Sequence, residues 1–348
     1  MAHDNPLGLD GFEFVEFTSP DPEALGELFR RLGFAHRSDH KSKKIRHYAQ
    51  GDINFLLNME ASGHAEDFRG AHGPSASAMA FRVADAQQAL ALALERGATR
   101  VEGEYGLPAI EGIGGSYLYL VDRYGAETIY DRDFDPTGED AQSSGLHTLD
   151  HLTHNVHRGR MDHWAQFYER IFNFRQIRYF DIEGQQTALV SRAMTAPDDK
   201  IRIPLNESQD EFSQIEEFLK EYKGEGIQHL ALATDDIFAT VDQLRANGIR
   251  FQDSPDTYYD MIDKRVPAHG HSVAEMRKRR ILIDGSPETG EGLLLQIFTE
   301  NMIGPIFFEI IQRKGNQGFG EGNFKALFES IELDQMRRGV LPASKENA

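Results

Sequence analysis

The alternation of apolar and polar residues predicts a chain built from short strands and amphipathic helices. Residues 11–17 (GFEFVEF) are rich in aromatic and β-branched side chains, which favour a strand. A Ser-Pro-Asp-Pro segment follows, and apolar residues then recur with helical spacing until Gly33. A similar strand and helix return after Leu149, so this unit is predicted to occur more than once.

The two halves of the chain repeat each other. Residues 11–34 match residues 151–174 at equal length, and residues 78–97 match residues 229–248 in the same way. Such a repeat indicates one architecture used twice. Because the strand–helix–strands unit also recurs within each half, we predict an α+β protein made of four βαβββ modules. An acidic linker is predicted at residues 131–145.

The halves differ at matched strand positions that carry chemistry. The second half has His151, His229 and Glu309. The alignment gives the first half Gly11, Ala78 and Glu127. Glu309 stands in an apolar run, where a buried carboxylate needs a cation or hydrogen-bond donors. Two histidines and one carboxylate form the ligand set of non-haem Fe(II) oxygenases. Zn²⁺ would also accept them, although the chain has no HExxH motif.

Strand alternation decides between neighbouring candidates. His154 and His157 compete with His151, but His154 falls on the opposite face and His157 lies near the end of the strand. On the second ligand strand, alternation gives Ile227 the same face as His229. Gln228 should then face away, unless the strand bulges.

Composition and charge limit the class of protein. A formal net charge of −19 argues against binding to nucleic acid. With 0 cysteines, any metal must be bound by His, Asp or Glu. There is no signal peptide and no apolar run of the ~20 residues that a membrane helix needs. We therefore expect a soluble, cytoplasmic protein without a membrane partner.

Four segments carry a resemblance to a known family. They are FFEIIQRKGNQGFGEGNFKALFES (307–330), LDHLTHNV (149–156), GIQHLAL (226–232) and LLLQIFTE (293–300). Together they resemble the bacterial 4-hydroxyphenylpyruvate dioxygenases over nearly the whole chain. The resemblance implies the vicinal-oxygen-chelate fold, with two open β-barrels of paired βαβββ modules. Residues 1–135 would form a barrel without metal for scaffolding or oligomerisation, and residues 146–348 the catalytic barrel with a C-terminal lid helix.

The same resemblance implies site residues and a reaction. The iron ligands would be His151, His229 and Glu309. Polar residues of the catalytic pocket would be Ser191, Asn206, Gln214 and Gln296. Substrate-binding residues would be Pro204, Gln228, Phe298, Phe307, Phe319, Asn323, Phe324 and Leu327. With Fe(II), the family converts 4-hydroxyphenylpyruvate and O₂ into homogentisate and CO₂ by oxidative decarboxylation, ring hydroxylation and side-chain migration. A homo-oligomer, dimer or tetramer, is also expected.

Other functions on the same fold are alternatives to this reaction. 4-Hydroxymandelate synthase uses the same substrate but hydroxylates the benzylic carbon; Pro204 and Phe298 favour the dioxygenase. An extradiol catechol dioxygenase is disfavoured by the glycine-rich C-terminal segment. A metal-free ligand-binding protein is disfavoured because one half keeps all three ligands.

The C-terminal segment is predicted to form a lid. Gly318, Gly320 and Gly322 are too flexible for a regular element, and Asn323 is a good helix cap. Phe324 and Leu327 then begin an apolar helical stripe that is typical of a core-facing helix. We predict a helix on a glycine hinge that closes over the substrate.

Overall fold

The computed structural model describes residues 4–140, 142–183, 188–209, 211 and 213–326, which form two mixed β-sheets with helices packed against them. The strands of the first sheet are β1 (Phe12–Thr18), β2 (Ala35–His40), β3 (Ile45–Gln50), β4 (Ile53–Asn58), β5 (Ser75–Arg82), β6 (Arg100–Glu102), β7 (Pro108–Glu111), β8 (Tyr117–Val121) and β9 (Phe134–Pro136). Its helices are α1 (Pro22–Arg31), α2 (His64–His72), α3 (Ala86–Glu95) and α4 (Ile129–Asp133).

The second sheet and its helices follow along the chain. Its strands are β10 (Leu146–Val156), β11 (Arg175–Glu183), β12 (Ala188–Thr195), β13 (Arg202–Ser208), β14 (Gly226–Thr234), β15 (Leu282–Ser286), β16 (Gly292–Phe298) and β17 (Phe307–Lys314). Its helices are α5 (Met161–Phe172), α6 (Gln214–Tyr222), α7 (Ile237–Ala246), α8 (Asp256–Asp260), α9 (Ile262–Arg265) and α10 (Val273–Arg279). Short 3₁₀ helices occupy Ile113–Gly115 and Pro287–Thr289.

Both sheets have the same plan. The strand orders are β6-β7-β8-β5-β1-β4-β3-β2-β9 and β11-β12-β13-β10-β14-β17-β16-β15. Antiparallel pairs, β1 with β5 and β10 with β14, form the centres. Each central strand is also parallel to the last strand of its own module. The four predicted βαβββ modules are therefore confirmed.

Helices α1 and α7, from the first and the last module, begin with the same kind of cap. The Asp21 side chain accepts a hydrogen bond from the backbone N of Ala24 at the start of α1, where Pro22 occupies the first turn. Asp236 accepts bonds from the first backbone N–H groups of α7 in the same way. These carboxylates satisfy donors that a helix start leaves free, which fixes where each helix leaves its strand.

Part of the predicted linker is ordered structure. α4 ends at Asp133, and β9 pairs with β2 at the edge of the first sheet. Further on, Glu139 forms an ion pair with Arg30 of α1 at 2.9 Å. The acidic composition of this segment reflects its surface position, and it binds back onto the first half.

The two barrels differ inside. Aromatic side chains, including Phe14, Tyr105 and Tyr119, fill the inside of the barrel that the first sheet forms. The corresponding cluster of the second sheet is small, with Ala231, Leu294 and Ile311 as its buried members. The second barrel therefore has room for a cavity. Among the described residues, no helix has the length and apolar character needed to cross a membrane.

Candidate metal centre

Three strands of the second sheet each present one ligand-type side chain to the same point. His151 lies on β10, His229 on β14 and Glu309 on β17, and one ligand atom from each lies within 4.8 Å of the others. Glu309 Oε2 is 3.2 Å from His151 Nε2 and 3.5 Å from His229 Nε2. Ligands held ~2.1 Å from one ion at right angles stand ~3 Å apart. The group therefore fits a metal ion.

Two β-bulges let adjacent residues share the interior face. The pairing of β10 with β14 moves from Leu149–Leu232 to His151–Ala231, and later from Thr153–His229 to His154–Ile227. Asp150 and Gln228 are therefore the extra residues. Gln228 lines the cavity beside His229, as only a bulge allows. The expectation that Ile227 shares the face of His229 is wrong, because the bulge reverses the alternation and places Ile227 in the main core.

Each bulge residue fixes the imidazole that follows it. Asp150 Oδ1 is 2.9 Å from His151 Nδ1, and Gln228 Oε1 is 2.9 Å from His229 Nδ1. An oxygen at this position accepts a hydrogen bond from Nδ1–H, so Nε2 of each ring is left facing Glu309. In its neutral form, each histidine thereby presents an Nε2 lone pair to the place where a metal would bind.

Asp150 is held as a buried anion. Arg313 donates to both of its oxygens, at 2.7 and 2.8 Å. Burial alone would favour the neutral acid, but Arg313 and His151 hold the pKa of Asp150 well below its usual range. For His151, burial opposes protonation, yet the attraction of Glu309 and the bond to Asp150 raise its pKa. Burial lowers the pKa of His229.

The two oxygens of Glu309 have separate partners. Oε1 accepts a hydrogen bond from Gln296 Nε2 at 3.0 Å, while Oε2 faces the imidazoles. Although burial raises the pKa of this carboxyl group, His151 and His229 outweigh it and lower the pKa to about 2. Glu309 is therefore a carboxylate at neutral pH, ready to bind a cation.

The competing histidines lie elsewhere. His154 is buried on the other side of the sheet, where its Nε2 lies 2.8 Å from the Tyr168 hydroxyl. Burial lowers the pKa of His154 to about 3, so this ring is neutral. His157 is exposed just beyond the end of β10. Of these three histidines, only His151 belongs to the group of ligand atoms.

A cavity of about 460 Å³ lies against the three side chains. Most of the residues proposed from the sequence line it, namely Ser191, Pro204, Asn206, Gln214, Gln228, Gln296, Phe298, Phe307, Phe319 and Phe324. Asn323 is not in the lining; it lies behind it and donates to Gln296 Oε1 at 2.8 Å. Leu327 lies outside the described residues. Helical backbone begins at residue 321, close to the predicted start.

The cavity has aromatic and polar walls. Phe307 stacks on His229 with ring centres 4.8 Å apart, and Phe298 stands edge-on to Phe307 at 6.0 Å. Ser191 and Asn206 lie opposite each other on β12 and β13. An aromatic acid thus finds ring contacts near the imidazoles and hydrogen-bonding groups on another wall.

Sequence reasoning missed several lining residues. They include Thr153, Phe180, Leu189, Ile215, Gln252, Asp253, Ser254, Pro255, Arg280, Leu282 and Glu321. Phe180 was within reach of prediction, since it pairs with Ser191 across β11 and β12. The segment 252–255 and Arg280 come from the helical insertion of the second half, which has no counterpart to align.

Strand pairing corrects the counterparts of the ligands in the first barrel. β1 and β5 carry the same two bulges, with Glu13 and Ser77 as the extra residues. The registers then give the counterparts of His151, His229 and Glu309 as Phe14, Ala78 and Tyr119. Gly11 and Glu127 were therefore wrong, and Glu127 is exposed beyond β8. Aligning the two halves by residue identity ignored the strand register, which differs from that alignment by three residues at β1.

Comparison with known proteins agrees with this architecture. A family model described as "Hydroxyphenylpyruvate dioxygenase, HPPD, N-terminal" matches residues 3–135. One for the glyoxalase, bleomycin resistance protein and dioxygenase superfamily matches residues 148–261. A 4-hydroxyphenylpyruvate dioxygenase of Pseudomonas aeruginosa is 61% identical over 348 residues, 97% of each chain. The chain belongs to the hydroxyphenylpyruvate dioxygenase family.

Other relatives extend the family comparison. Hemolysin VllY of Vibrio vulnificus is 61% identical over 97% of this chain and 98% of its own. A solved fusion of a xylose isomerase-like barrel with a 4-hydroxyphenylpyruvate dioxygenase superposes with a TM-score of 0.80 at 33% identity, covering 94% of this chain and 54% of the fusion. A mutant 4-hydroxymandelate synthase of Streptomyces coelicolor gives 0.78 at 25% identity, over 94% of this chain and 99% of that one. The vicinal-oxygen-chelate fold predicted from the sequence is confirmed.

Proposed function

We propose that this chain converts 4-hydroxyphenylpyruvate and O₂ into homogentisate and CO₂, with Fe(II) bound by His151, His229 and Glu309. One observation carries the proposal. In a member of the hydroxyphenylpyruvate dioxygenase family, two imidazoles and one carboxylate converge on the wall of a cavity of about 460 Å³. This ligand set leaves positions open on an Fe(II) ion.

The chain's own residues prepare the metal site. Asp150 and Gln228 hold the two imidazoles as Nε2 ligands, and Gln296 occupies one oxygen of Glu309. Fe(II) would supply the place where the 2-oxo acid and O₂ meet. The proposed task of the protein is to keep that place open on one side and dry on the others.

The remaining walls would orient the substrate. Phe298, Phe307 and Phe324 offer apolar faces to the aromatic ring. Ser191, Asn206 and Gln214 carry groups that can hydrogen-bond to the phenol hydroxyl. The ring would thus be aimed so that its substituted carbon faces the metal.

Two further expectations remain predictions from the sequence: a cytoplasmic location, and assembly into a dimer or tetramer. Among the alternative activities, 4-hydroxymandelate synthase is less well supported. The relatives named 4-hydroxyphenylpyruvate dioxygenase are 52–61% identical to this chain, against 25% for the solved synthase.

Product analysis tests the proposal. Metal-free protein would be loaded with Fe(II) and ascorbate, mixed with 4-hydroxyphenylpyruvate in air-saturated buffer, and the products separated by chromatography. We expect homogentisate and CO₂ in equal amounts, no product from Glu309→Ala, and full activity from Glu127→Ala. 4-Hydroxymandelate as the main product, or binding of the acid without turnover by iron-loaded protein, would contradict the assignment.

A further inference from the structure

A chain of hydrogen bonds runs from Glu309 to the helical insertion of the second half. Gln296 Nε2 donates to Glu309 Oε1, and Asn323 Nδ2 donates to Gln296 Oε1 at 2.8 Å. Asn323 Oδ1 in turn accepts from the Tyr258 hydroxyl at 2.6 Å and from Arg265 Nη2 at 3.0 Å. Glu309 and Gln296 line the cavity, while Asn323, Tyr258 and Arg265 do not, so this hydrogen-bond chain links the proposed metal site to α8 and α9.

The environment of this chain makes it sensitive to each member. Gln296, Asn323 and Tyr258 are all 2% exposed or less. The Tyr258 hydroxyl also accepts from the backbone N of Ile283 at 2.9 Å and from Arg265 Nη2 at 2.6 Å. Buried amides without solvent to replace a lost partner keep the orientation their neighbours impose.

The direction of these hydrogen bonds is fixed at both ends, because the Glu309 carboxylate only accepts and the Arg265 guanidinium only donates. A guanidinium group has donors only, whereas an amide has one accepting and one donating side. Arg265 therefore forces Asn323 to turn its oxygen outward and its nitrogen toward Gln296. Gln296 must then turn its oxygen to Asn323 and its nitrogen to Glu309.

We infer that Arg265 is a positioning residue for the metal site, acting through Asn323 and Gln296 without touching the substrate. If residue 265 could also accept, the Asn323 amide could reverse. Its oxygen would then face Gln296 Oε1, or Gln296 would reverse as well and turn its oxygen to Glu309 Oε1. Two acceptors in contact repel each other, and the carboxylate would turn away from the imidazoles. The inference rests on the proposed function, since it concerns the same metal site.

Arg265 also secures the segment that follows the glycine-rich loop. Its Nη1 lies 3.3 Å from Asp284 Oδ1, and Asp284 Oδ2 accepts from the backbone N of Gly322 at 2.8 Å. Arg265 therefore contacts residue 323 directly and residue 322 through Asp284. Loss of Arg265 should loosen this backbone even in protein without metal.

Metal affinity measured without substrate tests the inference. Fe(II) would be titrated anaerobically into metal-free wild type, Arg265→Gln, Arg265→Lys and Tyr258→Phe. We expect Arg265→Gln to lose affinity by about 10–100-fold, the range for partners of metal ligands. Lys, which also only donates, should restore most of it, and Tyr258→Phe should show a smaller loss. The matched control is Arg277→Gln. Arg277 also lies over a tyrosine ring, that of Tyr259, but it is not part of the hydrogen-bond chain to Glu309.

A double-mutant cycle separates action through the chain from general damage. In a Gln296→Leu background the link is cut, so Arg265→Gln should cause no further loss of affinity. Amide hydrogen exchange at residues 320–324 of the metal-free protein should be faster in Arg265→Gln than in Arg277→Gln. If Arg265→Gln does not fold, the Fe(II) affinity of Tyr258→Phe tests the inference instead, because this variant removes a single oxygen from the hydrogen-bond chain.

Two results would overturn the inference. The first is wild-type Fe(II) affinity in folded Arg265→Gln or, if that variant does not fold, in Tyr258→Phe. The second is an equal loss of Fe(II) affinity from Arg265→Gln in the wild-type and Gln296→Leu backgrounds. Wild-type protein that binds Fe(II) but forms no homogentisate would overturn the proposed function alone, because the affinity comparison needs no turnover.

Discussion

At the scale of single residues, two buried glutamates show how surroundings decide the use of a carboxyl group. Glu16 lies inside the first barrel and accepts from Ser77 Oγ at 2.6 Å and from the Tyr105 hydroxyl. These neutral donors do not offset burial, which raises the pKa of Glu16 to about 7. Glu309 meets two imidazoles and remains an anion. Of these two glutamates, Glu309 is the one whose surroundings keep it ionised and able to attract a cation.

Glu16→Gln should change how stability depends on pH. The pKa of Glu16 in the folded state, about 7, lies above the ordinary value of 4.5, so the folded protein binds the extra proton. Wild type should lose up to about 3 kcal/mol of unfolding free energy as pH rises from ~4.5 through ~7. Gln cannot ionise and should abolish that part of the loss. Urea unfolding of both metal-free proteins at pH 5 and pH 8 measures this change in unfolding free energy. An equal change in wild type and Glu16→Gln would contradict the expectation.

Phe298→Ile tests the aim of the substrate ring. Phe298 lines the cavity beside Phe307, and its ring lies 6.4 Å from that of His229. A smaller side chain weakens ring contacts and widens the cavity, so the benzylic carbon can reach the oxidant. We expect slower homogentisate formation together with some 4-hydroxymandelate, measured by chromatography. Wild-type rate without a second product would exclude Phe298 from the substrate site.

At the scale of elements, the glycines of residues 318–322 have a packing role that the sequence alone did not indicate. A Cβ on Gly320 would lie 1.7 Å from Gln296 Oε1, and one on Gly322 would lie 2.2 Å from Asp284 Oδ1. The glycines thus allow the backbone to approach side chains closely. The loop is also bonded in place, because Arg313 donates to the carbonyl of Gly318 at 2.7 Å. The hinged lid helix stays a prediction, because most of it lies outside the described residues.

Gly320→Ala should displace Gln296 and weaken metal binding. Gly315→Ala is the matched control, because the two glycines have similar φ angles of 81° and 84° while the nearest atom to a Cβ on Gly315 is 3.8 Å away. Both variants carry the backbone strain of a left-handed residue, but only Gly320→Ala has the clash. Anaerobic Fe(II) titration should show at least about tenfold weaker binding for Gly320→Ala than for the control. Equal affinities would mean that the loop moves aside without affecting Gln296.

The pattern of the elements was predictable, but their register was not. Alternation and helical spacing reveal the modules because burial of one face requires them. The bulges at Asp150 and Gln228 leave no trace in that pattern, since an extra residue in one strand is visible only against its partner. The two candidate histidine ligands stood out because the alignment gave the first half no histidine at those positions, and Glu309 stood out as an acid within an apolar run. The first-half counterpart of His151 was misplaced because Leu-Asp at residues 9–10 matches Leu-Asp at residues 149–150, which aligned His151 with Gly11 and not with Phe14.

At the scale of the whole molecule, the two barrels share one hydrophobic core. Phe55 of the first barrel lies 6.1 Å from Phe308 of the second, and Phe81 lies 5.2 Å from Phe172. Neither sheet can therefore lose its packing without exposing apolar surface of the other. We expect the two halves to unfold together.

Phe81→Ala should destabilise both barrels at once. Truncating a buried phenylalanine costs about 3–5 kcal/mol. Circular dichroism and release of bound metal should shift to lower temperature together, in a single transition. Tyr179→Ala is the control, because Tyr179 is 50% exposed and its loss should change stability little. Two separate transitions, with the metal retained in the second, would show that the barrels unfold independently.

The hydrogen bond from Gln296 to Glu309 has a consequence for denticity. Because Oε1 accepts from Gln296 while Oε2 faces the imidazoles, an ion in the proposed site would be held through Oε2 alone. A six-coordinate Fe(II) held by two imidazoles and one carboxylate oxygen would have three positions left. In the proposed reaction, the 2-oxo acid would need two of these positions and O₂ the third. A glutamate that used both oxygens would take one of them, so the Gln296 amide would set how many reactants can bind together.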